Sequence, residues 1–286
     1  MTILVAGCGD LGTEAGLRFT AAGHTVVGWR RSPSKLPPDI KAVAADLSSP
    51  GLPPIPADTT AVVIAVAADS SSEDAYRTAY VSGVTHVLDA LERDGVTPRR
   101  VLFVSSTAVY GDAGGGWVDE STTPIPGSFS GRVLREAEDI LHERLSEAPT
   151  AAMVLRLGGI YGPGRTRLID QVRNGTAVIP DTPRYTNRIH RDDAAGAIVQ
   201  LCTMDDEPSP VYVGVDDDPA ELGDVLRFLA SELGLEGPPS GNAGDGRGGN
   251  KRCSNRLLRG TGYSLVYPTF REGYRAILAG VGVRHP

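Results

Sequence analysis

The sequence predicts an α/β protein: a Rossmann-type, doubly wound parallel sheet with a small C-terminal α/β substrate-binding part. Two observations carry this expectation. A short apolar run, Thr2 to Ala6, leads straight into Gly7-Cys8-Gly9-Asp10-Leu11-Gly12, a G-x-G-x-x-G pattern at a strand-to-helix junction. Apolar runs then alternate with helix-period segments through the first half of the chain, which is the pattern of βαβ units.

The elements follow in order. After the glycines, Leu11, Ala15, Leu17, Phe19 and Ala22 fit the buried face of a helix that ends at Gly23. His24 to Gly28 reads as a second strand, Ala42 to Leu47 as a third, Ala61 to Ala68 as a fourth and Arg100 to Ser105 as a fifth. Between the last two, Ala75 to Leu91 is helical, with Tyr80, Val84, Val87, Leu88 and Leu91 on one face. Val133 to Leu145 is a further helix, Ala152 to Leu157 and Val211 to Val215 are strands, and Leu222 to Leu233 is a helix. The regular alternation gives way to short elements near residue 160. The expected division is therefore a nucleotide-binding part, 1–160, and a substrate-binding part, 161–286. The segment 236–250, rich in Gly and Pro, is expected to be a mobile loop or lid.

The glycines have separate tasks in a dinucleotide site. Gly7 allows the tight turn, Gly9 lets the backbone approach a pyrophosphate, and Gly12 lets helix and strand pack closely. Cys8, Asp10 and Leu11 complete that loop, whose helix N-terminus offers N–H groups and a positive dipole end. An NAD site usually carries an acid about 20 residues further on, to bond the ribose hydroxyls. Here the second strand runs instead into Trp29-Arg30-Arg31-Ser32. Two guanidiniums and a hydroxyl suit a 2′-phosphate, so NADP(H) is expected over NAD(H). Asp46, Leu47, Ala67 and Ala68, at the ends of the third and fourth strands, complete the expected cofactor contacts.

Composition bounds the rest. At 286 residues, 41% hydrophobic and 22% charged, the chain can bury a substantial core. A net charge of −7 argues against non-specific nucleic-acid binding. No stretch approaches the ~20 apolar residues of a membrane-spanning helix, and no secretory signal is visible. Cys8, Cys202 and Cys253 are widely spaced and odd in number, which suits a reducing cytoplasm. Neither C-x-x-C nor H-x-x-x-H occurs, so no metal site is expected.

By the fifth strand the chain resembles the extended short-chain dehydrogenase/reductases, the group of nucleotide-sugar epimerases and dehydratases. Val104-Ser105-Ser106-Thr107-Ala108-Val109-Tyr110-Gly111 resembles the family's active-site strand. Asp119-Glu120 with Pro124 and Pro126 is similar to its D-E-x-T-P-x-x-P loop. Arg156 through Tyr161-Gly162-Pro163-Gly164 resembles its R…N-x-Y-G-P-G turn, with Gly159 in place of Asn. Arg188 to Asp193 resembles its R-x-x-H-V-D-D element. Asn255, Gly262-Tyr263 and Tyr267-Pro268 suggest an atypical branch.

The family's chemistry rests on a Tyr-x-x-x-Lys pair sharing one helix face, in which the ammonium lowers the phenol pKa. Aligned on Glu136-Ala137-Glu138, the tyrosine position is Ser130 and the lysine position Leu134. No tyrosine is followed four residues on by lysine, and the chain has only Lys35, Lys41 and Lys251. Leu134 falls on an apolar stripe with Ala137, Leu141 and Leu145, and so reads as core. The resemblance makes Ser106 and its neighbour Thr107 the carried-over active-site groups. Tyr110, Tyr161 and His190 are replacement proton donors or, equally, wall and structural residues. Ser130, Arg132 and Arg188 are candidate substrate contacts, Arg188 otherwise being a surface ion pair.

Three functions follow from these features. The first is an NADP(H)-dependent oxidoreductase, epimerase or dehydratase acting on a small polar metabolite. The second is a non-redox dehydration, cyclisation or isomerisation on the same scaffold. The third is a catalytically silent NADP(H) sensor. A homodimer is common in the family, though no residue here independently requires one.

Overall fold

The computed structural model describes residues 1–242 and 248–286. Seven parallel strands form the central sheet: β1 (Thr2–Ala6), β2 (Thr25–Arg30), β3 (Lys41–Ala44), β4 (Thr59–Ile64), β5 (Arg100–Ser106), β6 (Ala151–Leu157) and β7 (Val211–Gly214). Their order is β7-β6-β5-β4-β1-β2-β3, so the direction of winding reverses between β1 and β4. In open α/β sheets ligands bind outside the carboxyl ends of the strands at such a switch point. Here that point is the Gly7–Gly12 turn.

The helices are α1 (Asp10–Ala21), α2 (Glu73–Tyr76), α3 (Gly83–Arg93), α4 (Phe129–Leu145), α5 (Arg167–Arg173), α6 (Arg191–Thr203), α7 (Leu222–Glu232), α8 (Arg256–Gly260) and α9 (Phe270–Leu278). The inner strands are apolar on both faces because both are covered, whereas the edge strand β3 is mostly exposed. One face packs Leu4, Val27, Trp29, Val62 and Ile64 against α3 and α4. The other packs Ile3, Val5, Val26 and Val63 against Leu11, Ala15 and Phe19 of α1 and Ala194, Ile198 and Leu201 of α6. A third cluster, built on Ile169, Val172, Val225, Leu229, Phe270 and Tyr274, joins α5, α7 and α9.

Two elements beyond the boundary expected near residue 160 pack on the central sheet. They are α6 and β7. β7 pairs with β6 from Val211↔Val154 to Gly214↔Leu157, and α6 covers a sheet face beside α1. Without them the ladder of β6 and an apolar face would be unpaired and open.

Several boundaries also move. β2 runs on to Arg30 because Gly28, Trp29 and Arg30 pair with Ala42, Val43 and Ala44. β4 ends at Ile64, so Ala67 and Ala68 lie on the following loop. The helix expected over 75–91 contains a π-helical segment, Arg77–Ser82, between α2 and α3. α4 starts four residues earlier than its periodicity suggests, since the Ser128 side chain accepts from the Gly131 N–H. Of the expected mobile segment 236–250, residues 243–247 lie outside the described residues. Its described flanks are tied down: Ser240-Gly241 pairs with Ile179-Pro180, and the Asn250 carbonyl accepts from Ala113 and Gly115. No helix among the described residues is long and apolar enough to cross a membrane.

Candidate functional site

The glycine turn closes the carboxyl end of β1. The N–H groups of Gly7 and Cys8 both donate to the Trp29 carbonyl, at 3.1 and 2.9 Å. Gly7 has φ +91°, and a Cβ there would stand 2.6 Å from the Ala65 carbonyl oxygen. A Cβ on Gly12 would stand 2.7 Å from the Gly7 oxygen, so this glycine lets α1 approach the strand. Gly9 differs: its φ of −79° suits any residue, and nothing lies within 4 Å of a Cβ placed there. Gly9 is also the N-cap of α1 and supplies no side-chain acceptor. The first-turn N–H groups of Asp10, Leu11 and Gly12 therefore face an uncovered space, which fits a pyrophosphate. The Cys8 and Leu11 side chains are buried, so only their backbone reaches the turn's open side; burial pushes the Cys8 thiol up to about 11.

The Asp10 carboxylate faces the second half of the chain. It accepts from Arg165 Nε at 2.8 Å, Arg191 Nη1 at 3.0 Å and the His285 N–H at 3.1 Å. Burial would raise its pKa, but the bonds to Arg165 and His285 and the two guanidinium charges outweigh it and hold the carboxyl below its ordinary value. Arg165 follows directly on the Tyr161–Gly164 turn, so this contact ties that turn to the cofactor helix.

At the β2 edge, Arg30 Nη1 donates to the Cys8 carbonyl at 3.4 Å. Arg31 makes a two-pronged contact with Asp69, both prongs 2.7 Å. Ser32, Asp46 and Ala67 are exposed, and Asp46 Oδ1 accepts from the Ser48 N–H and hydroxyl. The Leu47 side chain is buried, and the backbone of Ala68 bonds the Tyr80 hydroxyl.

The candidate reactive end is the carboxyl end of β5. Ser106 Oγ accepts from the Ala108 N–H at 3.2 Å and caps the turn Thr107–Tyr110, which leaves its O–H free to donate. Gly131 sits against the Ala108 carbonyl, 2.6 Å from a Cβ built there, and this brings the α4 N-terminus to that turn. The Ser128 and Ser130 hydroxyls are 3.0 Å apart. Leu134 is buried in the core and Arg132 is exposed. Thr107 is buried against Cys253. Lys251 is also buried, and its Nζ donates to the carbonyls of Gly111 (2.9 Å) and Gly248. That ammonium is spent behind the turn and does not occupy the position of Leu134.

Tyr110 is buried in a polar network behind this end. Ser105 donates to Glu138, Arg156 grips Glu138, and Arg156 Nη1 donates to the Tyr110 hydroxyl at 2.9 Å. Burial pushes the Tyr110 phenol up to about 12 in spite of that guanidinium. Tyr161, buried at 4% exposure, faces the third cluster, and burial raises its pKa far above the ordinary value. His190 caps α6: its Nδ1 accepts from the Asp192 N–H, Nε2 has no partner among the described residues, and burial pulls its pKa down to about 4. Arg188 is not the surface ion pair expected as one alternative. It is buried over the Phe270 ring, with Nη2 on Thr186 at 2.5 Å and a side-chain bond to Tyr274.

The structure thus gathers Gly7–Gly12, Arg30 and Arg31 on the β1/β2 side, and Ser106 and Ser130 on the β5 side. Tyr110, Tyr161 and His190 stand behind or beside that line. Sequence reasoning missed Asp69, Arg165 and Arg191. Two of them carried a signal: Arg165 by its position next to Tyr-Gly-Pro-Gly, and Arg191 by standing where the R-x-x-H-V-D-D element has Val.

An open parallel sheet with an uncapped glycine turn at its switch point defines a Rossmann nucleotide-binding protein. A sequence model of the NAD dependent epimerase/dehydratase family matches residues 3–214, and the chain belongs to that family. It is 28% identical over 284 residues to protein YeeZ of Escherichia coli K12, covering 93% of this chain and 96% of that one. It is 28% identical over 269 residues to a 3-diazoavenalumate denitrifying reductase of a Streptomyces species, covering 83% of each. A solved Methylobacillus flagellatus protein, described only by family as an NAD-dependent epimerase/dehydratase, is 38% identical with a TM-score of 0.78 over 98% of both chains. Human epimerase family protein SDR39U1, solved with NADPH, shares the fold at 20% identity and a TM-score of 0.81, covering 98% of this chain and all of that one.

Proposed function

We propose that the protein is an NADP(H)-dependent oxidoreductase acting on a small polar metabolite, without a Tyr-Lys proton relay. The observation that carries this reading is the open space over Gly9, faced by the uncapped first turn of α1 and flanked by Arg30 and Arg31. A nicotinamide cofactor seated there supplies hydride exchange. The N–H groups of Asp10, Leu11 and Gly12 would hold its pyrophosphate, and Arg30, Arg31 and Ser32 its 2′-phosphate.

Ser106 and Ser130 supply neutral donors at the substrate, while Arg132 stands free at the α4 terminus. Tyr110, held by Arg156 and raised by burial, is a strut in this reading. His190, buried and neutral, holds the α6 terminus. No side chain here matches the acidity of a lysine-assisted phenol, so solvent provides any proton the reaction needs.

Calorimetric titration with NADPH and NADH tests the cofactor, followed by a substrate screen read at the nicotinamide absorbance. Tight NADPH with weaker NADH is expected. Once a substrate is found, Ser106→Ala should slow turnover roughly tenfold or more, with cofactor affinity unchanged. Failure of both nucleotides to bind would transfer the scaffold to the non-redox reading.

A further inference from the structure

The Arg31–Asp69 pair has no part in the fold's core. β2 and β4 flank β1 on opposite sides, so their ends stand about two strand spacings, ~10 Å, apart. Arg31 follows β2 directly, and Asp69 lies on the loop after β4. Their side chains meet above the carboxyl end of β1, where the Gly7–Gly12 turn lies. The pair spans the crevice that the dinucleotide must enter.

We propose that Asp69 moderates the 2′-phosphate preference of the cofactor site: it competes for Arg31, which a 2′-phosphate must take from it and a 2′-hydroxyl leaves in place. This rests on the nicotinamide-cofactor reading above. The argument is one of competition for a single guanidinium. The pair is solvent-washed, with side-chain exposures of 61% and 68%, so its net strength is small. A phosphate presents three strong acceptor oxygens and more charge than a carboxylate, and it can take Arg31 over. A ribose hydroxyl is neutral and cannot. The neighbouring charges are balanced: Arg30 and Arg31 against Asp46 and Asp69, with Asp46 acting on Arg31 through space. Removing the Asp69 charge leaves the cluster positive without touching either arginine.

The test is calorimetric titration of wild type and Asp69→Asn with NADPH, NADH and 2′,5′-ADP. Asp69→Asn should tighten NADPH and 2′,5′-ADP by roughly three- to tenfold at low salt, and move NADH by less than about twofold. The gain should shrink as salt is raised. Asp224→Asn, which removes one acid from an exposed pair with Arg227 on α7, should leave all three affinities unchanged. An unchanged NADPH-to-NADH ratio in Asp69→Asn overturns the proposal. Equal weakening of both nucleotides also overturns it, by making the pair a strut over the crevice. If no nucleotide binds the wild type, the cofactor reading itself fails and Asp69 with it.

Discussion

Glu138 of α4 and Arg156 of β6 meet in the interior at 2.6 Å, with side-chain exposures of 0% and 2%. Each is further satisfied: Glu138 accepts from Ser105, and Arg156 donates to Tyr110. The network joins β5, β6, α4 and the turn after Ser106, so it fixes the candidate reactive end from behind. A buried pair is costly to break from one side, since the remaining charge has no water to replace its partner. Glu138→Ala should lose ~3–5 kcal/mol of stability, read as a lowered urea midpoint with unchanged slope. A loss under about 1 kcal/mol would mean that water enters and takes over the role of Glu138.

Two glycines of one turn should separate stability from binding. Gly9→Ala adds a methyl where nothing lies within 4 Å, at a φ of −79° that suits alanine. Its stability should stay within ~0.5 kcal/mol of wild type. The methyl projects into the space proposed for the pyrophosphate, so NADPH affinity should fall roughly tenfold or more, about 1.4 kcal/mol. Gly7→Ala meets the Ala65 carbonyl at 2.6 Å from a positive φ, and should lower the melting temperature whether or not nucleotide is present. Equal nucleotide affinity in Gly9→Ala and wild type would refute the pyrophosphate placement.

Stability should depend on pH through two buried groups of opposite sign. Asp216 is pushed up to about 8 by burial, with Arg188 opposing and Asp217 and Asp218 adding to the rise. Its unfolded value is ~3.9, so the folded state holds the extra proton between those values and stability falls as pH rises. His190 is pulled down to about 4 from 6.5 by burial, so across that window the unfolded state binds the extra proton and stability rises with pH. The two oppose one another up to pH ~6.5, and above it only Asp216 remains. Denaturation midpoints should therefore fall from pH ~6.5 to ~8, and Asp216→Asn should flatten that fall. A slope unchanged in the variant would assign the dependence to other groups.

Much of the scaffold was legible in the chain. The run Thr2–Ala6, the glycine pattern and the apolar alternation gave a parallel sheet because strands covered on both faces need unbroken apolar sequence. Leu134 read correctly as core, because its i+3 and i+7 neighbours are apolar as well. That no tyrosine is followed four residues on by lysine is a matter of spacing and needs no coordinates. Less local features were not legible. The early start of α4 depended on one serine cap, and the π segment at Arg77–Ser82 leaves the apolar stripe unbroken, so periodicity passes over it.

The sequence by itself determined the sheet, the glycine turn and the family, because each is written in contiguous residues whose spacing sets their geometry. Only the tertiary structure decided which polar side chains are committed. It placed Arg31 on Asp69, 38 positions away, Arg165 on Asp10 across 155, and Tyr110 on Arg156 across 46. Such partners are chosen by the folded path of the chain, which brings distant groups together in the interior, as for Tyr110 and Arg156, or in water, as for Arg31 and Asp69, and no local pattern records that choice.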